Sequence, residues 1–320
     1  MTSGLPKVVF GAHSLESIEL ESALTIGAFD GVHLGHQAII KRLSEKAAEL
    51  GVPAVALTFY PDPARAFSPR NAPAQIMSFR EKVLSLLEAG VDSVVCLRFD
   101  DRLKNMSALD FVQKVLQRQL GAKWLLIGDD FRFGLGRSGD FEFLAENCEK
   151  YGFQVERTST KFYDAEGGRT RISSTQIRRY LAAGRFDMAE QLLGKPYEMS
   201  GRVVSGKKLG RELGYPTANI QVSRDPVAIS GVFAVRVKTD DAGWLDAVAN
   251  LGYRPAVNSL KKPLLEVHIF DFSQNIYGKR IRVRFLKKIR DEENFENLEA
   301  LTSAIKKDAE DARAVFAIEK

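Results

Sequence analysis

Apolar positions in the first half of the chain alternate between two rhythms. Short apolar runs at Leu24–Ile26, 52–59, 91–99, 122–128 and 153–160 have the length of buried strands. Between them apolar residues recur every three to four positions, the helical period. After His36, residues Ile39, Leu43, Ala47 and Leu50 share one face, and Gly51 stands where a helix closes in left-handed backbone. A Ser78–Glu81 capping box opens the next helix, which Gly90 stops. Ser107 opens a third that runs to Gly121, and Asp140 a fourth that Gly152 stops. A fifth is predicted in ISSTQIRRYLAAG, ahead of Gly184. This alternation predicts an α/β domain, doubly wound about a parallel sheet.

The rhythm changes after FDMAEQLLGKPY, a short amphipathic helix at 186–197. Six short alternating runs follow: GRVVSG, TANIQV, GVFAVRVKT, WLDAVANLG, LLEVHIFDF and KRIRVRFLKKI. Gly, Pro, Asn and Asp separate them, the signature of an antiparallel six-stranded β-barrel. A C-terminal helix is predicted last, with Phe295, Leu298, Leu301 and Ile305 on one face. We therefore expect two domains, 1–185 and 186–320.

Composition changes this picture little. The 320 residues carry 46 Lys and Arg against 41 Asp and Glu, a net charge of +5. That mild excess does not favour nucleic acid, and the aromatics are not interleaved with basic residues as a stacking platform requires. No apolar run has the length of a membrane span, and the N-terminal MTSGLPKVVFGAH lacks the apolar core of a signal peptide. Cys96 and Cys148 stand singly and read as small buried hydrophobes in a reducing compartment. These features predict a cytoplasmic protein with neither nucleic-acid nor membrane partners; a homo-oligomer is left open.

The chemistry of the first half gathers in loops that follow strands, where doubly wound sheets bind ligands. TIGAFDGVHLGH holds two of the four histidines of the chain, His33 and His36, around Gly35 and just at a helix start. Gly27, Phe29 and Asp30 belong to the same loop. Such a loop suits a phosphate. Three readings of the histidine pair stand side by side: a metal site, which needs further ligands, a structural helix-start pair, or two donors to a phosphate whose charge builds up during displacement. TFYPDP, RFDD and GDDFRFGLGRSGD, with Asp130, follow the next strands. Arg169 and Arg171 then precede Ser173, Ser174 and Thr175, with Arg178 one helical turn on. Hydroxyls and arginines at a helix start read as a plain cap by themselves and as a second phosphate cradle if they face the same cleft.

In the second half, GRVVSGKK nearly spells a P-loop, but Lys208 stands where Ser or Thr is required and no helix follows. The longer GRVVSGKKLGRELGYPTANI is more informative. Gly206, Gly210 and Gly214 with Lys207, Lys208 and Arg211 could drape backbone and charge over a polyphosphate, or form a plain basic loop between strands. Thr217 and Asn219, two apart on a strand, offer neutral oxygens suited to Mg²⁺. Glu266 shares a strand face with His268, Phe270 and Phe272.

These motifs carry a resemblance. H-x-G-H after a first strand, with S-S-T-x-I-R later, resembles the nucleotidyltransferase superfamily, with its Rossmann-like fold. GAFDGVHLGH with TFYPDP and GDDFRFG is similar to the adenylyltransferase module of bacterial bifunctional FAD synthetases, over about residues 10–184. PTAN, NLGYRP and LEVHIFDF resemble the riboflavin kinase domain of that family, over about 186–320. The resemblance implies two ATP-dependent steps: riboflavin to FMN in the second domain, and FMN to FAD with release of pyrophosphate in the first. It implies that His33 and His36 stabilise the adenylyl-transfer transition state and that Asp130, Arg171 and Ser174 meet the nucleotide. Glu266 would be the general base of the kinase, with Thr217 and Asn219 at Mg²⁺ and the flavin near Asn250–Pro255, including Arg254.

Overall fold

The structure, a computed structural model, describes residues 5–11, 21–165, 168–206, 213–239, 243–254 and 262–318. They form two compact units, one of 1–73 with 79–173 and one of 74–78 with 174–320.

The first unit is built on a parallel sheet of β1 (Val8–Phe10), β2 (Ser22–Ile26), β3 (Ala54–Tyr60), β4 (Ser93–Arg98), β5 (Ala122–Gly128) and β6 (Gln154–Thr158). Their order is β1-β4-β3-β2-β5-β6. Strands β2 to β5 are almost wholly buried, which explains why they read as continuous apolar runs rather than alternations. Phe111, Val112, Val115 and Leu116 pack on Leu24, Val55, Val95 and Leu125 of the sheet. Helix α1 (Leu34–Leu50) buries Ile40, Leu43 and Ala47, whereas Leu50 of the expected stripe is exposed and Ile39 only partly covered. Helices α2 (Pro63–Phe67), α3 (Phe79–Glu88), α4 (Asp101–Lys104) and α6 (Phe141–Tyr151) fill other connections. The helix expected from Ser107 to Gly121 is a single α-turn, α5 (Ala108–Asp110), that continues in π-helical geometry over Phe111–Gln119. Cys96 is buried; Cys148 is only partly so, a departure from the expected burial. A hairpin, β7 (Phe162–Ala165) and β8 (Gly168–Arg171), precedes Ser173.

The second unit is a closed barrel of six antiparallel strands, β9 (Glu198–Val204), β10 (Ala218–Gln221), β11 (Gly231–Lys238), β12 (Trp244–Arg254), β13 (Lys262–Ile269) and β14 (Arg280–Arg290). The circuit runs β10-β13-β12-β11-β14-β9. Leu265, Val267 and Ile269 are buried while Glu266 and His268 are partly exposed, the period-two pattern read from sequence. Helices α7 (Ser174–Ala182) and α8 (Phe186–Leu193) belong to this unit. Phe186 of α8 stacks with Tyr197 and meets Phe233 and Phe285 of the barrel. Along the chain these compact units part at Ser173/Ser174. Helix α9 (Leu298–Ile318) packs Ala309, Ala312 and Phe316 against Val232, Ala234 and Val248. Leu298, expected on its apolar face, is exposed.

Candidate active sites

In the first unit the strand order reverses at β2: β3 and β4 lie to one side, β5 and β6 to the other. The loops after β2 and β5 therefore border the crevice where such sheets bind ligands. The β2 loop holds left-handed backbone at Phe29, Gly31 and Val32, with φ of 51°, 91° and 40°. Two of these are not glycine, a costly conformation that concentrates at functional sites. It seats the Phe29 ring against Gly27, where a Cβ would lie 3.0 Å from the ring. The same ring meets His36 edge-on, with centroids 5.3 Å apart. Asp30 is partly buried in the same loop.

His33 caps α1. Its Nδ1 accepts the backbone N–H of His36 at 3.3 Å, which leaves the ring proton of a neutral imidazole on Nε2. The two imidazoles stack 3.7 Å apart at 14°. His33 is buried, and Nδ1 of His36 is enclosed with no hydrogen-bond partner. Burial first, then the neighbouring His33 and Lys82, hold the His36 pKa well below the usual imidazole range. A pair of imidazoles at a helix N-terminus, with His36 held neutral, can offer N–H groups to a phosphate. Among the described residues no three His, Cys, Asp or Glu side chains are grouped to hold a metal ion.

A Cβ on Gly35 would lie 3.1 Å from the His33 ring and 3.7 Å from the Ile172 carbonyl, so the stretch leading into Ser173 runs beside the histidines. Arg171 pairs with Asp130 at 3.3 Å, so these two expected nucleotide contacts also contact each other. Ser173 ends the first unit. Ser174, Thr175 and Arg178 lie on α7 in the second unit, and Arg178 Nε donates to the Ala74 carbonyl at 2.5 Å.

Sequence reasoning missed Lys82. It lies on the buried face of α3 and is 8% exposed. Its Nζ donates to the Ala28 carbonyl at 2.8 Å and lies 3.5 Å from Thr58 Oγ1. The available signal was a lysine one turn from Phe79 and Leu86, on the apolar side of an amphipathic helix.

In the second unit Glu266 of β13 is in register with Asn219 of β10 on one side and Asn250 of β12 on the other. These three residues form a polar row across three strands. They line a cavity of about 300 Å³ with Thr217, Tyr215, His268, Phe295 and Leu301. A second cavity, of about 590 Å³, is lined by Thr217, Phe272, Asn275 and Tyr277 among others. Thr217 thus borders both. Asn219 is buried. A Cβ on Gly206 would fall 2.4 Å from Asn219 Nδ2, so only glycine lets the chain pass there. Gly214 has a φ of 85°. Lys207 and Gly210 lie outside the described residues, and Arg254 closes β12 by its backbone.

His268 Nδ1 donates to the Pro216 carbonyl at 2.9 Å and pins the residue before Thr217. Arg290 of β14 grips Asp308 of α9 through two bonds of 2.7 Å. A Cβ on Gly252 would stand 1.6 Å from Glu292 Oε1, so glycine makes room for that carboxylate at the cavity wall. Burial raises the Glu292 pKa above the ordinary carboxylate value. None of these supporting contacts carries a local sequence signature, since each joins residues far apart in the chain.

The family model described as FAD synthetase matches residues 15–176, and the one described as riboflavin kinase matches residues 193–316. A Pseudomonas fluorescens protein described as a bifunctional riboflavin kinase/FMN adenylyltransferase is 46% identical, over 97% of this chain and 98% of its own length. Proteins of the same description from Haemophilus influenzae and Escherichia coli K12 are 44% and 42% identical, over 97% and 98% of this chain and 99% of each relative. A solved structure from Streptococcus pneumoniae, described as a macrolide-efflux protein, superposes with a TM-score of 0.76 at 29% identity, over 96% of this chain and 99% of that one.

Proposed function

The chain belongs to the bifunctional riboflavin kinase/FMN adenylyltransferase family, and from this premise we propose how its residues divide the two reactions. It phosphorylates riboflavin to FMN with ATP, then transfers an adenylyl group from ATP to FMN, giving FAD and pyrophosphate. We assign adenylyl transfer to 1–185 and the kinase to 186–320.

In the kinase, Glu266 is the general base that takes the proton of the ribityl 5′-hydroxyl as that oxygen attacks the γ-phosphate of ATP. The observation that carries this reading is the polar row Asn219–Glu266–Asn250 on the wall of a cavity that Tyr215, Phe295, Leu301 and Ile305 also line. Flavin enters that cavity, and ATP the neighbouring one that also reaches Thr217. Gly206, Lys207, Gly210 and Gly214 belong to the segment over the phosphates, and Arg254 to the flavin side. Thr217 and Asn219 suit Mg²⁺, since both offer hard neutral oxygens and the missing Cβ of Gly206 leaves Asn219 approachable. Bound there with ATP, Mg²⁺ would neutralise phosphate charge.

In adenylyl transfer, an FMN phosphate oxygen attacks the α-phosphorus of ATP and the bond to pyrophosphate breaks. His33 and His36 donate to the α-phosphate oxygens as charge accumulates, and the N-terminus of α1 adds its dipole. Gly27, Phe29, Asp30 and Gly35 shape the loop. Asp130, Arg171, Ser173, Ser174, Thr175 and Arg178 bind the nucleotide. The described helices include none long and apolar enough to cross a membrane, and we assign the protein to the cytoplasm, which supplies ATP.

Separate assays of the two steps test this division. Glu266→Gln should lower riboflavin phosphorylation by about 10²- to 10⁴-fold and leave conversion of added FMN to FAD within twofold of wild type. His36→Asn should do the reverse. If each folded variant loses both steps, or neither, the division of labour is refuted.

A further inference from the structure

The buried lysine of the first unit has no role in the reactions as drawn above. Lys82 is 8% exposed. Among the described residues no carboxylate lies within 4 Å of it; its hydrogen-bond partners are the Ala28 carbonyl at 2.8 Å and, more weakly, Thr58 Oγ1 at 3.5 Å, and its Nζ lies 5.9 Å from the centre of the Phe79 ring. Burying an ammonium without an ion pair is expensive, and an apolar residue of similar length at this site of α3 would avoid that cost. The single strong contact is with the loop between β2 and α1. Ala28 directly precedes Phe29, whose left-handed backbone seats its ring between Gly27 and His36. A bond to the carbonyl of the Ala28–Phe29 peptide fixes the orientation of that peptide plane.

We propose that Lys82 is a positioning residue for adenylyl transfer: it clamps the β2 loop through Ala28, holds Phe29 against His36, and sets its ammonium behind the histidine pair. The inference rests on the assignment of His33 and His36 to that reaction. The titratable groups around the lysine are Asp30 of the loop, Asp62 before α2 and the thiol of Cys96 on β4, which burial keeps protonated with a pKa pushed up to about 11; those around His36 are His33 and Lys82. The Lys82 charge disfavours a second cation and so helps keep His36 neutral. A neutral ring can offer its one N–H to phosphate without the cost of a buried imidazolium.

Lys82→Met keeps the length and removes the charge, while Lys82→Arg keeps the charge. Each is assayed in the full-length protein for FAD formation from FMN and ATP, for riboflavin phosphorylation, and for His36 titration by NMR, with His36→Asn supplying the resonance assignment. Lys82→Met should lower kcat for adenylyl transfer by about 10- to 100-fold, change KM for FMN little, spare riboflavin phosphorylation, and raise the His36 pKa. Lys82→Arg should leave the His36 titration near wild type and retain more of the rate. Adenylyl transfer within twofold of wild type in Lys82→Met overturns the proposal. So does a loss of rate in both variants with an unmoved His36 titration, the mark of a merely structural lysine. Should Lys82→Met fail to fold, Lys82→Arg decides: a shifted His36 titration with the charge retained also overturns it. If His36→Asn itself leaves FAD formation intact, the site assignment fails, independently of Lys82.

Discussion

At the scale of the residue, His36 shows how burial sets chemistry. Its ring stacks on His33, meets Phe29 edge-on and has an enclosed Nδ1. Taking a proton there would put a cation beside Lys82 in a site poor in water, so the folded pKa falls below the unfolded value of about 6.5. The unfolded chain therefore binds more protons in the window below about 6.5, and stability must fall as pH falls through that window towards the depressed folded value. Thermal unfolding of the first unit, followed by heat loss of FAD formation in wild type and by circular dichroism in both proteins, should show it. Wild type should lose stability between about pH 7 and pH 5, and His36→Asn should lose less over the same range. Equal slopes would place the acid-sensitive group elsewhere. The histidines themselves were legible in sequence, because two of four fall in one motif. The neutrality of His36 was not, because it depends on its burial, on His33 and on a lysine from another helix.

At the scale of the element, what could be read was local. Gly51 and Gly152 close α1 and α6 in left-handed backbone, and the Ser107 and Asp140 side chains cap α5 and α6 as their sequence positions imply. Strand β1 has three residues and β7–β8 is largely exposed, so neither leaves a periodic apolar signal. The C-terminal helix shows the limit of periodicity. A stripe through Phe295, Leu298, Leu301 and Ile305 was visible, yet the turns that meet the barrel are those of Ala309, Ala312 and Phe316. Phe295, Leu301 and Ile305 line the cavity of Glu266 instead. The Arg290–Asp308 pair fixes this placement, and Asp308 is buried. Removing Asp308 takes both short bonds from Arg290, whose side chain is 22% exposed, and leaves it the longer 3.8 Å ion pair to Glu293. Asp308→Ala should therefore destabilise the second unit by about 3 kcal/mol and weaken riboflavin binding, because α9 carries one cavity wall. Riboflavin titration by fluorescence and heat inactivation of the kinase step would read both effects; unchanged values would show that α9 is held by its apolar contacts alone.

At the scale of the whole chain, the two units are not two consecutive pieces of sequence. Residues 74–78, from the first half, belong to the second unit. Gln75 bridges Val227 in parallel, its N–H donates to the Pro226 carbonyl at 2.9 Å, and its side chain accepts from the Asp225 N–H at 3.2 Å. Arg224, itself buried, donates to the Ile76 carbonyl and to the Tyr197 hydroxyl. Ile76 is fully buried. No periodicity could reveal this, since Gln75 and Ile76 pair with a segment about 150 positions later. Such a strap should make the kinase sensitive to a substitution in the first half of the sequence. Truncating a fully buried isoleucine to alanine costs roughly 2 to 5 kcal/mol, and that cost should fall on the unit that contains it. Ile76→Ala is therefore expected to shorten the heat-inactivation half-life of riboflavin phosphorylation more than that of FMN adenylylation, both measured on the same sample of intact protein. Gln75→Ala should act in the same direction and more weakly, because its backbone bond to Pro226 survives. If Ile76→Ala instead destabilises adenylylation alone, the strap belongs energetically to the first unit, and the second must fold without it.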